Sequence, residues 1–472
     1  MLKLDSNTVK LDMNKYHSYI NYSTRVLIDL NKLNRMLEPD RAVANGCYEA
    51  VLSYMNLVSD KPIDKITTRA LANLLIDYED VPLRELQYFD TKSRQLKLSC
   101  KKSIIQQLKD RNRAPYLIEY YLKYLDLKSK VNNMTTNVSR LRPTEHFNQL
   151  GNRLYELPFH YTKSKTGRYY SSNANLQALP LVYCSSFSAP KDYFLLWGDF
   201  KQIDLRVALN ICLRDDGDNV LSKYIDAVDD RYEAFARALH ETLNLKFTID
   251  KYKSDREKYK EGVLSSIYGA GVNSLTNSIG DGNLARLLRQ YVDSNPGYIK
   301  YKQAIEDLFN YDEAFVSYGY FGHPRTLHKN SDRSWTASLN NPIQSTSGEI
   351  IALFTNEVCE RMWRDVKDKN KFFPLLNRHD EVIFMVHRDC IPHLNNFLDC
   401  TKVQIDDWSL LEIEWDVGHY YTESDEDLRT EILKANSNRR ETIVQKTTRR
   451  NRYYPVDPVV SFDLHHFEIG DA

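Results

Sequence analysis

YFLLWGDFKQIDLR, residues 193–206, is the stretch from which the architecture of this chain can be read. Six largely apolar residues lead into Asp199, as in a strand buried inside a sheet that ends in an acid. A second segment, FFPLLNRHDEVIFMV at 372–386, has two apolar arms around a polar centre, which predicts a β-hairpin with His379-Asp380-Glu381 at or beside the turn. Carboxylates on neighbouring strands could converge on magnesium, a hard ion that prefers oxygen ligands and often keeps several waters. Phosphoryl transfer needs such a pair of ions, one to acidify the attacking hydroxyl and one to support the leaving oxygens. Taken singly, either acid is better explained as a turn former or a cap.

Between these acids, DREKYKEGVLSSIYGAG places Arg256, Lys260, Leu264 and Tyr268 at successive intervals of four, on one slowly drifting helix face. Arg256 and Lys260 present two cations one turn apart, a match to a triphosphate tail. Tyr268 could offer its ring to a base, with Gly269 and Gly271 ending the helix. An ordinary solvated charged face running into a glycine cap accounts for this segment too.

The rest of the chain is plainer. Lys plus Arg and Asp plus Glu number 64 each in 472 residues, so any grip on a polyanion must come from local clusters. The seven cysteines are scattered without a CxxC pair, which indicates neither a disulfide framework nor a zinc site. The N-terminus lacks a secretory core and no run is long enough to span a bilayer, so no membrane partner and a cytoplasmic location are expected. Residues 24–150 read as mainly helical, from RVLIDLNKLNRML through TRALANLLIDY to APYLIEYYLKYLDL, with the basic stretch KKSIIQQLKDRNR at 101–113 lying between two of these helices. Beyond about residue 423 the pattern weakens into an expected appendage carrying a basic run at 438–452.

In order along the chain, these segments resemble the family A DNA polymerases, relatives of bacterial DNA polymerase I. DFKQIDLR at 199–206 is similar to the first palm motif, DYSQIELR, and the series from Arg256 to Gly269 to RxxxKxxxFxxxYG. HDE at 379–381 resembles the second palm motif, TGRYYSSNANLQALP at 166–180 the family's TGRLSSSDPNLQNIP, and LNNPIQSTSGEII at 339–351 its FNMPVQGTAADLM. The resemblance covers about residues 24–423. It implies an α+β right-hand fold: an N-terminal arm (1–23), a helical thumb with its base (24–150), an antiparallel palm sheet in two parts (151–215 and 336–423), fingers (216–335) and a C-terminal tail (424–472).

It also implies roles. Asp199, Asp380 and the Phe200 carbonyl would hold two Mg2+ ions, with Mn2+ as a substitute. Glu381 adjoins them without being an obligatory ligand. Arg256 and Lys260 would hold the triphosphate of a deoxynucleotide, with Gln202 nearby and Tyr232 where the family often has a phosphate-contacting His. Tyr268 would sit by the templating base. Arg168, Asn340, Gln344 and His379 would contact primer–template DNA through the minor groove, and Asn175 and Gln177 belong to the same DNA-facing stretch.

The sequence departs from the pattern at Asp204, where the family has Glu, and at Leu264, where it has an aromatic. These two pack where a ribose 2′-hydroxyl would go, so looser sugar discrimination, or its supply by another residue, is expected. No 3′→5′ proofreading is expected: Asp77 and Glu79 have the DxE spacing of an exonuclease site but read as surface acids of a thumb-base helix. The short form suggests a phage or mobile-element enzyme acting in replication, in the host cytoplasm. Alternatives are a lesion-bypass or repair polymerase and a single-subunit RNA polymerase, against which QIDLR and the TGR–NLQ stretch argue. Lys101, Lys102, Lys109, Arg111 and Arg113 are candidate phosphate contacts at the thumb tip. The tail run of Arg439, Arg440, Lys446, Arg449, Arg450 and Arg452 could grip DNA, dock a processivity or replisome partner, or form a disordered arm, and SFDLHHF faintly suggests a clamp-docking peptide.

Overall fold

The computed structural model describes the chain except residues 5, 7–12, 22–24, 60, 91–94, 101, 214–219, 226, 312, 330–333, 409 and 449–472, and for 13–15, 88–90, 103, 110, 311 and 438–448 it describes only the backbone. The centre is a six-stranded sheet in the order Leu2–Leu4, Lys402–Ile405, Leu411–Gly418, Tyr193–Phe200, Glu381–His387, Phe372–Arg378. Tyr193–Phe200 lies inside it, with five consecutive buried residues from Phe194 to Gly198, because it has antiparallel neighbours on both sides and packed layers on both faces. The hairpin at 372–387 forms as expected, with Arg378 paired to Glu381 across the turn. The sheet is not wholly antiparallel: Leu2–Leu4 adds an edge strand parallel to Lys402–Ile405. The N-terminal residues expected to form an arm thus contribute Leu2 and Leu4 to the core.

Against the sheet runs the helix Ser334–Val366, buried through most of its length, including the polar residues Asn341, Ser345, Thr346 and Glu349. A helix wetted on so little of its surface is a central strut. Pro342 is tolerated inside it, and the carbonyl of Pro342 accepts the Thr346 hydroxyl at 2.6 Å. A helical body on one side holds Arg231–Thr242, Ile249–Ile267, Val272–Ile279, Gly282–Ser294 and Pro296–Tyr311. Gly262 allows two of these to close up, since a Cβ there would lie 2.6 Å from Leu288 Cδ1.

A second helical body contains the long pair Leu30–Val58 and Pro115–Val138 with the shorter Thr68–Asp77. Here the helical reading of 24–150 needs correction. Arg25–Asp29 is a strand paired with Arg153–Pro158, and helix begins only at Leu30, where Asp29 accepts the Lys32 N–H at 3.1 Å as N-cap. Val26 and Ile28 are fully buried in that strand, so tertiary pairing overrides the apparent helical period. Small sheets also form at Gln87–Asp90 with Gln95–Leu98 and at Arg142–Phe147. The basic stretch at 101–113 is itself a helix, Lys102–Asp110. Lys101 lies outside the described residues, Lys102 pairs with Asp126, and Arg111 and Arg113 flank Glu85 at 3.2 and 3.7 Å.

The region after residue 423 is more than an appendage. Glu426–Thr448 is a helix whose Leu428, Ile432 and Asn436 are buried, with the Asn436 amide donating to the Ile391 carbonyl at 2.9 Å. The side chains of Arg439, Arg440 and Lys446, and all of Arg449, Arg450, Arg452 and SFDLHHF, lie outside the described residues. No helix among the described residues is long and apolar enough to cross a membrane.

Candidate active site

Asp199 leaves the central strand opposite Glu381 on one neighbouring strand and Glu414 on the other. Directly opposed residues in antiparallel strands point to the same face, so three acids stand side by side at one end of the sheet. Asp380 occupies the turn beside them. Its carbonyl accepts the Phe200 N–H at 3.1 Å, which ties that turn to the end of the central strand. His379 adopts φ 55, the left-handed conformation that a two-residue hairpin turn demands.

A cavity of about 660 Å³ opens at this point, lined by Asp199, Phe200 and Asp380 together with Gln202, Asp204, Tyr232, Arg256, Lys260 and Leu264. The helix Ile249–Ile267 thus turns Arg256, Lys260 and Leu264 toward the acids. Tyr268 follows as its C-cap residue and Gly269, at φ 85, ends it. Tyr232, buried in the first turn of Arg231–Thr242, reaches the same cavity. Glu257, Lys258 and Glu261 also line it and drew no notice in the sequence.

The electrostatics are those of a site short of positive charge. Crowding by protein pushes the Asp199 carboxyl up to about 6, with Glu414 adding to the rise and Lys260 opposing it. Burial raises Asp380 as well, helped by Asp204 and Asp199 and opposed by Arg168. Glu381 is pushed up to about 7, chiefly by burial, although Tyr421 donates to it. Asp380 Oδ1 is buried without a hydrogen-bond partner, 3.6 Å from Arg168 Nη2.

A divalent cation would relieve this deficit. No group of three or more His, Cys, Asp or Glu side chains suited to a metal ion occurs among the described residues. Asp199, Asp380 and Phe200, whose two carboxylates and carbonyl were the expected donors, all line the cavity. That small set fits magnesium, which keeps waters and completes its shell with substrate phosphates.

Arg168 lies between the strands His160–Lys163 and Tyr169–Ser172 and pairs with Asp204, the residue expected to help exclude a ribose hydroxyl. Gln177 donates to the Tyr169 carbonyl at 2.9 Å and the Asn377 carbonyl at 3.0 Å, and its own carbonyl meets His379 Nε2 at 3.1 Å. Asn175 caps the short turn Leu176–Ala178. These two side chains thus hold the 175–178 segment, with Gln177 fastening it to the acid-bearing hairpin. Asn340 and Gln344 stand one turn apart on Ser334–Val366, and Asn340 Oδ1 and the Tyr268 hydroxyl are buried without partners. None of Arg168, Asn175, Gln177, Tyr268, Asn340, Gln344, His379 and Glu381 lines the cavity itself.

Two further acids were missed. Asp230 bonds Gln202 and Arg256, and the only sequence signal for it was an N-cap Asp ahead of RYEAFA. Glu349, fully enclosed, accepts the Phe321 and His323 N–H groups at 3.0 and 2.6 Å and fastens the hairpin Ala314–His328 to the central helix.

The sequence profile of DNA polymerase family A matches residues 41–423. The chain is 24% identical to DNA polymerase I of Pseudomonas aeruginosa over 293 residues, which are 59% of this chain and 30% of that protein. The chain thus spans less than a third of the length of that curated relative. Among solved structures it is similar to the POL domain of Pol1 from M. smegmatis in complex with DNA primer-template and dNTP, with a TM-score of 0.65, 17% identity, and coverage of 86% of this chain and 68% of that one.

Proposed function

Because this chain belongs to DNA polymerase family A, we propose that it is a template-directed DNA polymerase, adding deoxynucleotides to a primer 3′-hydroxyl. The observation that carries this reading is the cavity in which Asp199 and Asp380, both with raised carboxyl pKa, face Arg256 and Lys260. Two magnesium ions, when bound, would acidify the primer hydroxyl and neutralise the departing pyrophosphate. Asp199, Asp380 and the Phe200 carbonyl are the groups to hold them. The crowding that raises both acids marks where positive charge is most stabilising.

Arg256 and Lys260 bind the triphosphate from one helix face, which orients its α-phosphate toward the primer end. Gln202 and Tyr232 close the same pocket. Arg168, Asn340, Gln344 and His379 read the shape of the terminal pair from the minor groove, and Tyr268 packs near the templating base. The six-stranded sheet with the central helix acts as palm, the helical body at 231–311 as fingers, and the body built on 30–138 as thumb. Leu264 and Asp204 border the sugar, and pairing of Asp204 with Arg168 supports relaxed exclusion of ribonucleotides.

The chain carries out no 3′→5′ proofreading through Asp77 and Glu79: Asp77 lies exposed at a helix end, and Glu79 is occupied by the Tyr54 hydroxyl. Incubation of the purified chain with a mismatched primer tests this, and shortening of the primer would refute it. The polymerase reading itself is tested with a labelled primer, a template and either deoxynucleotides or ribonucleotides. Extension set by template and favouring deoxynucleotides is expected. Synthesis from a promoter without a primer would make the chain an RNA polymerase instead.

A further inference from the structure

Asp230 is the meeting point of three elements that approach the cavity from different directions. As N-cap of Arg231–Thr242, its Oδ1 accepts the Tyr232 N–H at 3.1 Å. The same oxygen accepts Gln202 Nε2 at 2.8 Å, and Gln202 Oε1 in turn accepts the Arg231 N–H at 2.9 Å. Gln202 stands at φ 52, two residues past the catalytic strand, so the left-handed turn there aims its amide at the helix start. Asp230 Oδ2 receives the Tyr252 hydroxyl at 2.8 Å and Arg256 Nε at 2.7 Å, both from Ile249–Ile267. Burial works against the charge of this carboxyl, but the hydrogen bonds from Arg256, Tyr252 and Gln202 outweigh it and hold the group below its ordinary range.

The contact to Arg256 is selective. A guanidinium has five N–H donors in a planar fork, and Asp230 takes only the Nε–H. The terminal nitrogens, which fit a phosphate bidentately, are left outside the grip of Asp230 on a residue that lines the cavity, Nη1 making only a long 3.4 Å contact to the exposed Glu257 carboxylate. Anchoring Nε also removes rotamer freedom that binding would otherwise have to freeze.

We propose that Asp230 is a positioning residue for the incoming nucleotide: it holds Arg256 and Gln202 in the orientation that receives the triphosphate and couples the end of the catalytic strand to the cationic helix. Asp230 touches neither the reacting atoms nor the groups assigned to the metals. Its contribution therefore falls on nucleotide capture and not on the chemical step. The inference rests on the polymerase reading.

Asp230→Asn is the discriminating variant. Asn is as good an N-cap as Asp, and its Oδ1 still accepts from Tyr232 and Gln202. Its Nδ2 opposes the Arg256 Nε–H with a second donor, while the Tyr252 hydroxyl can reverse to accept. Steady-state primer extension should show KM for the nucleotide raised roughly tenfold, the size of one charge-assisted hydrogen bond, with kcat changed by less than about threefold. In an Arg256→Ala background the same substitution should add no further rise, because the group it positions is gone. An unchanged KM, equal effects in both backgrounds, or a fall in kcat with lowered thermal stability would each overturn the proposal. A wild-type chain that fails to extend any primer would instead remove the polymerase reading beneath it.

Discussion

Gly167→Ala should disturb Arg168 through a neighbour that contacts neither acid. Gly167 precedes Arg168 at φ 77, and an added Cβ would lie 2.6 Å from His323 Cδ2 and 2.9 Å from Nε2. Two costs follow. A left-handed alanine costs about 1–2 kcal/mol, and forcing a methyl into a filled site costs about 1–3 kcal/mol, for a total of about 2–5 kcal/mol. The His323 ring has little room to retreat, since it is buried and the backbone N–H of the same residue is held by Glu349 at 2.6 Å. The turn must therefore move, and Arg168 with it, away from Asp204 and from Asp380 at 3.6 Å. Urea denaturation of wild type, Gly167→Ala, His323→Ala and the double variant separates the terms. Removing the ring should recover the steric part, leaving about 1–2 kcal/mol of backbone cost and a coupling of about 1–3 kcal/mol. Primer extension by Gly167→Ala should slow, with partial recovery in the double variant. A cost below about 0.5 kcal/mol for Gly167→Ala, or strict additivity of the two substitutions, would refute the reasoning.

Restoring the family residues by Asp204→Glu with Leu264→Phe should raise discrimination between dGTP and rGTP by roughly tenfold or more, since a methylene and a ring refill the space beside the 2′ position; an unchanged ratio in competitive extension would mean another residue supplies the barrier. Glu349 gives a pH signature. Burial pushes its carboxyl from the ordinary 4.5 up to about 7, so the folded state holds the proton more tightly than the unfolded chain. Its stabilising contribution is full below about 4.5 and is lost as pH rises through about 7, amounting to at most about 3 kcal/mol. Glu349→Gln should flatten that dependence in hydrogen exchange of the 314–328 hairpin, and identical pH slopes in both proteins would contradict the assignment.

Sequence alone made the strand of Asp199, the hairpin of Asp380 and the Arg256–Lys260–Leu264 face legible, because each is local: a strand ending in an acid, a polar centre between apolar arms, an interval of four. The strand at Arg25–Asp29 was hidden, since Val26 continues the helical spacing of Leu30, Leu33 and Leu37 while Val26 and Ile28 also alternate, and only pairing with Arg153–Pro158 decides. The buried start of the final helix was hidden by its charge: two apolar residues, Leu428 and Ile432, one turn apart among acids and bases read as solvated chain. Asp230 could be found as a cap, but its grip on Gln202 and Arg256 spans 28 and 26 positions and has no local signature. The same holds for Glu349, whose partners lie on a separate hairpin.

The most direct measurement is single-turnover extension of a labelled primer by wild type, Asp199→Ala and Asp380→Ala with saturating magnesium and nucleotide. Each alanine should slow nucleotide addition by on the order of a thousandfold or more, the loss of several kcal/mol of charge stabilisation, while primer–template binding is retained. Extension by either variant within about tenfold of wild type would show that these carboxylates do not carry the chemistry.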